Sequence, residues 1–312
     1  MHRALRRALL LATTIAVASA GFTSVPANAA SQSSTTTPSR IPSLDLPSLT
    51  GGPCNLLWDL ANAGGRNGLL AVGLTADQQL IKFAANRPQF ACTIGSVDLP
   101  GSEFLVGIDY RVQDGRLYGV GSVGGIYVLS TRNAVATKTS QLTAALAGTS
   151  FGVDFNPAAD RLRIISDTGQ NLRHNVNPGG TTIVDNPLIY PPSTSAVGVT
   201  GAAYTNNDLN PSTATTLFDI DTALDQVAVQ SPANSGQLVA TGALGVNAGP
   251  QAGFDIYSPL RGDRAVANNA YAVLNSAGAS RLYRIDLLSG EAQTTGTFDD
   301  HVVLDLALLL RQ

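Results

Sequence analysis

Charge, aromatic rings and sulfur are all scarce in this chain of 312 residues. Only 13% of the residues are charged, the formal net charge is −3, and no run of lysine or arginine occurs. A surface without a basic stripe cannot neutralise a phosphate backbone, which excludes nucleic-acid binding. Three histidines are present, one of them at position 2, with no H-x-H or H-x-x-x-H pair. Zinc and copper enzymes draw on more imidazole or thiolate ligands than this. G-x-S-x-G and G-x-x-x-x-G-K-[ST] are both absent, which removes the commonest nucleophile elbow and the phosphate loop. "GVGSVGG" (Gly119 to Gly125) opens no helix and reads as a strand-to-strand turn. Aromatics make up 6% of the chain, with a single tryptophan, Trp58, so the stacking platforms of a lectin are poorly supplied. Beyond the first thirty residues no apolar stretch reaches eighteen, so no membrane span is expected.

What is present begins with a leader. Arg3, Arg6 and Arg7 precede an apolar run from Ala8 to Ala20, and Ala27-Asn28-Ala29 forms an A-x-A cleavage site. The apolar run is too short for a bilayer, so residues 1–29 read as a secretory signal peptide cleaved near Ala29, and the mature chain is expected outside the cytoplasm. No Cys follows the apolar run, so a lipoprotein anchor is not expected. Residues 30–50 are dense in Ser, Thr and Pro and read as a linker, because they hold too little apolar surface to offset their ordering entropy. Residues 51–312 then form one domain. Its two cysteines, Cys54 and Cys92, are expected to pair, since export places them in an oxidising compartment.

The domain repeats a phrase. "VGIDY" (Val106 to Tyr110) returns as "FGVDF" (Phe151 to Phe155), "TGAAY" (Thr200 to Tyr204), "AGFDI" (Ala252 to Ile256) and "VVLDL" (Val302 to Leu306). The fourth positions are 109, 154, 203, 255 and 305, spaced 45 to 52 residues apart. Short β-rich runs follow each of the first four copies, punctuated by Gly, Asn, Asp and Pro, and no sustained helical period appears. The fold class is therefore all-β, and four strands per repeat of this length is the pattern of a β-propeller blade. "LLAVGL", "QLIKFA" and "ACTIGS" near the start supply the second, third and fourth strands of a blade without its first. "HVVLDLALLL" at the end supplies a first strand with nothing after it. The expectation is five four-stranded blades, with the ring closed by pairing of the N- and C-terminal strands, or six if the long fourth unit conceals another.

"FGVDFNPAADRLRIISDTGQNLRHN", with "VGIDYRVQDGRLYGVGS" before it and "GAAYTNN" and "AGFDI" after, resembles a secreted bacterial family known as domain of unknown function 4394. The resemblance spans roughly residues 68 to 310. It implies a propeller-like repeat fold and supplies no activity, cofactor or site residue.

Three sets of residues carry possible chemistry. "SDTGQNLRHN" (Ser166 to Asn175) is the most polar stretch. Its Asp167-Thr168-Gly169 spells the aspartic-protease triplet, but the nearest second copy, Asp221-Thr222-Ala223, lacks the glycine that a symmetric pair needs. Asp167, Asn171 and Gly169 suit a tight turn, and Arg161, Arg163 and Arg173 can reach Asp160, Asp167 or Asp185. The functional alternative is a ligand-contacting loop of Gln170, Asn171 and Arg173. The second set is the repeated aspartate: Asp109, Asp154, Asp255 and Asp305, with Ala203 breaking the series. On innermost strands these carboxylates crowd the axis, where backbone N–H groups of the next blade or a bound cation must offset their repulsion. Calcium is the cation that suits hard oxygen ligands. The third set, Asp154, Asp167, Arg173 and His174, holds the catalytic candidates for a hydrolase or lyase at the channel mouth.

The leading expectation is a monomeric, exported binding module for a protein, a glycan or a small ligand, with no required cofactor. The alternatives are that Ca-assisted hydrolase or lyase and a purely structural module.

Overall fold

The computed structural model describes residues 68–311 apart from residue 193. The signal peptide, the linker, Cys54 and Trp58 lie outside the described residues.

Five four-stranded antiparallel sheets make up a five-bladed propeller. Blade 2 runs outward through Leu105–Arg111, Arg116–Gly121, Gly125–Leu129 and Ala136–Gln141. Blade 3 comprises Phe151–Asn156, Arg161–Ser166, Asn171–His174 and Thr182–Val184. Blade 4 comprises Val199–Tyr204, Leu217–Asp221, Gln226–Gln230 and Leu238–Ala243. Blade 5 comprises Ala252–Tyr257, Asn269–Ser276, Ala279–Ile285 and Ala292–Phe298. Blade 1 is shared between the ends of the chain. Its innermost strand is the C-terminal Val303–Leu308, which pairs with Leu70–Thr75, followed by Gln79–Ala84 and Cys92–Ser96. The closure read from the sequence is the closure observed. The length of the fourth unit is taken up by a loop over residues 205–216, and no sixth blade hides in it.

Every copy of the phrase is an innermost strand, and each is buried along nearly its whole length. Apolar residues on both faces follow from that position, whereas the outermost Ala136–Gln141 is largely exposed and reads "ATKTSQ". The glycine two residues before each repeated position, present in four of the five copies, lets neighbouring innermost strands approach. A Cβ on Gly152 would lie 2.7 Å from the backbone N of Ala202, and one on Gly253 would lie 2.5 Å from Cα of Asp305.

The apolar core divides by seam. Each of five buried clusters draws its side chains from two adjacent blades. Aromatic edges reinforce two seams: Tyr118 meets Phe155 at 5.2 Å between blades 2 and 3, and Phe83 meets Phe298 at 4.9 Å between blades 5 and 1. Four of the scarce aromatics thus help to join blades.

Two small hairpins depart from the repeat. Ile189–Tyr190 pairs with Thr194–Ser195 between blades 3 and 4, and Leu260–Arg261 pairs with Arg264–Ala265 after the innermost strand of blade 5.

Candidate functional site

The channel carboxylates come first, because the repeat places them. Asp109 Oδ1 accepts the N–H of Tyr110 (2.6 Å) and Oδ2 that of Phe155 in the next blade (2.7 Å). Asp305 holds Leu306 N–H (2.9 Å) and, in blade 2, Ile108 N–H (2.8 Å). Asp255 holds Ile256 N–H and, in blade 1, Leu308 N–H, both at 2.5 Å. Asp154 accepts only the N–H of Tyr204 in blade 4 (3.1 Å). Four of the five seams are thereby stitched by a carboxylate. The fifth, between blades 4 and 5, has Ala203 at the equivalent position, and there Ala203, Phe218, Phe254 and Ile256 join an apolar cluster.

Burial pushes all four carboxyls above the usual carboxylate range. Repulsion from Asp255 and Asp305 adds to it for Asp109, and from Asp109, Asp255 and Asp305 for Asp154. Asp305 is likewise held well up, with Asp255 contributing, and Asp255 is raised to about 7. Oxygens of Asp109, Asp154 and Asp255 lie within 4.8 Å of one another, so these three can share a hard cation; Asp305 is not in that group.

The polar stretch of blade 3 is a scaffold. Asp167 accepts Thr149 N–H (2.9 Å) and its hydroxyl (2.6 Å), and Gly169 takes φ 81° in the turn. Gln170 clasps a neighbouring loop, with Nε2 donating to Ala145 O and Oε1 accepting from Ala147 N–H. Asn171 accepts from Arg163 (2.6 Å) and donates to the carbonyls of Asn186 and Ala233. Arg163 also reaches Asp185 (2.7 Å), Asn234 (2.8 Å) and Tyr204 (3.2 Å). Arg173 pairs with the same Asp185 at 2.8 Å. Arg161 donates instead to the carbonyls of Ala159 and Asp160, while Asp160 pairs with Arg111 of blade 2. His174 is fully buried between Ser140 (2.8 Å) and Thr182 (3.0 Å), and burial lowers its pKa, keeping it neutral.

Asp154, Asp167, Arg173 and His174 are therefore tied to four separate sets of partners, and none bonds another. Gln170 and Asn171 have their side-chain amides bonded within the protein, while Arg173 engages Asp185 through Nε and is partly exposed.

A site the repeat did not reveal lies where the innermost strands of blades 1, 2, 4 and 5 end. A pocket of about 600 Å³ is lined there by Val112, Asn207 to Pro211, Tyr257, Leu260, Gly262, Asp263 and Arg311. A second, of about 460 Å³, adjoins it and shares Val112 and Arg311. The larger pocket is walled by the two insertions, residues 205–216 and the 260–265 hairpin. The signal in the sequence was excess length in the fourth and fifth units, "NNDLNPST" and "SPLRGDRA", which the strand pattern leaves unaccounted for.

Fold and channel together define a β-propeller with carboxylate-stitched seams. The match at family level runs over residues 79–307, to the family described as Domain of unknown function (DUF4394), and the chain belongs to that family. No curated protein matches the chain. Similar solved structures include one from a nidogen/laminin complex (12% identity, 78% of this chain and 99% of that one, TM-score 0.45). Another is a protein of unknown function from Bacteroides thetaiotaomicron VPI-5482 (14% identity, 78% and 67%, TM-score 0.44). A third is an auxiliary nutrient binding protein from Bacteroides ovatus ATCC 8483 (12% identity, 69% and 56%, TM-score 0.36). At such scores the likeness carries no functional argument.

Proposed function

We propose that this protein is an exported binding module that takes its ligand at the propeller face bearing the two insertions. The observation that supports this is the contrast just described. Most polar side chains of the blade 3 stretch are bonded within the protein, whereas the inserted loops place residues outside the repeat around a pocket. Loops set on a rigid scaffold are where binding function concentrates. Export and a Cys54–Cys92 disulfide belong to the same reading, and no described helix is long and apolar enough to cross a membrane. The test is to express the full chain with its own leader and sequence the N-terminus of the product. Cleavage near Ala29 with recovery outside the cytoplasm is expected; an intact leader on a cytoplasmic product overturns the export reading.

A cation in the channel is a second reading, favoured by the three carboxylates whose oxygens gather within 4.8 Å. Calcium there would act on stability and geometry. A melting curve in EDTA and then in excess Ca²⁺ tests it: a ligand at a hundred times its Kd stabilises by about 2.7 kcal/mol. An unchanged midpoint leaves the carboxylates as acceptors of backbone N–H groups alone.

A further inference from the structure

We propose that the two adjoining pockets form one cleft for a short acidic glycan, whose carboxylate is received by Arg311 and whose hydroxyls face acceptors in the larger lobe. This rests on the binding-module reading and names its ligand.

The polar atoms left over decide the class of ligand. Arg311 is exposed, lines both lobes, and has no described side chain paired with it. In the larger lobe Asn207 spends Nδ2 on Ile256 O (2.8 Å), leaving its Oδ1. Asp263 spends Oδ2 on Asn210 (2.9 Å), leaving Oδ1. In the smaller lobe Gln113 spends Nε2 on Pro157 O (2.8 Å), and its Oε1 is buried without a donor. Asp114 lines that lobe too, but Arg111 and Arg116 already pair with it.

Among the described residues the cleft thus offers an unpaired cation at its divide and unspent acceptors in the larger lobe. A matching ligand presents several donors around a single anion. A free phosphate brings the anion with few donors, and an unmodified sugar brings the donors without the anion. An acidic disaccharide brings both. Val112, Leu209, Pro211 and Leu260 supply apolar surface for the C–H faces of a sugar ring.

The wall is also set in advance. Asp208 is buried, and its two oxygens accept Asn210 N–H (2.9 Å) and Ala265 N–H (2.8 Å), tying one insertion to the other. Binding then orders little backbone, which is the main saving that a preformed site provides.

The probes are cellobiouronate and cellobiose, which differ only at C6, titrated calorimetrically into the mature protein at low salt. Cellobiouronate is expected to bind at least about tenfold tighter. Arg311→Ala should bring cellobiouronate down to the affinity of cellobiose, and Asp263→Ala should weaken both sugars. Arg311 is exposed and has no paired side chain among the described residues, so its variant retains the fold, which circular dichroism would verify. Failure of both sugars to bind at millimolar concentration overturns the proposal, as does equal binding that Arg311→Ala leaves untouched. A panel of other small ligands run against the wild type and Leu209→Trp separates the two levels. A ligand that binds both proteins equally keeps the binding module but removes the cleft, while a folded wild type that binds nothing removes both.

Discussion

Asp305 accepts the backbone N–H of Ile108 at 2.8 Å, across 197 positions of sequence. That bond joins the last strand of the chain to blade 2, so the strand that completes blade 1 also clamps its neighbour. Asp305→Ala would leave the buried N–H groups of Ile108 and Leu306 without acceptors. A loss of about 2–5 kcal/mol is expected in urea unfolding. Deleting residues 300–312 should cost more, because it also strips Leu70–Thr75 of its partner. A truncated chain with an unchanged midpoint would contradict ring closure.

Stability should depend on pH in a direction opposite to that of most carboxylates. The folded-state pKa values of Asp109, Asp154, Asp255 and Asp305 lie above the ordinary value of 3.8, so their contribution is complete below that value and declines as pH rises. For Asp255 the loss runs to about pH 7. A melting temperature several degrees lower at pH 8 than at pH 5 is expected in EDTA. Calcium should close the gap if the channel holds it.

Asp219 provides a separate test. It is fully buried on the second strand of blade 4, and neither carboxylate oxygen has a described hydrogen-bond partner. Burial holds its pKa well above the usual range, against the opposing field of Arg163. Asp219→Asn removes the ionisable proton while keeping the shape. It should stabilise the protein by about 1–3 kcal/mol at pH 8 and give no gain at pH 4. Equal effects at both values would show that ionisation is not what burial penalises there.

Cys92 lies at the start of the outermost strand of blade 1. Non-reducing peptide mapping of protein made in an oxidising compartment should find it joined to Cys54, the only other cysteine. Closing a loop of that length is worth about 4 kcal/mol in the chain-entropy model. The double Cys→Ser variant should still fold, since the ring does not depend on the bond, and should unfold at lower denaturant concentration.

While the choice of five blades over six waited on the loop at residues 205–216, the repeat phrase by itself determined the all-β class, the shared first blade and the placing of four aspartates on innermost strands. These are consequences of period and alternation, which a linear sequence carries in full. The conformational role of the phrase glycine was present in the same pattern, although its reason is the contact with the next blade. Tertiary structure alone decided which polar residues remain available. Gln170, Asn171, Arg173 and His174 stood out in sequence because they break the repeat, yet partners on other strands and loops occupy Gln170, Asn171 and His174, and Arg173 shares Asp185 with Arg163. Asn207, Asp263 and Arg311 looked like ordinary loop and terminal residues. They meet only because three innermost strands end at the same face of the ring, and the distance between chain segments that closure brings together has no period for a sequence to display.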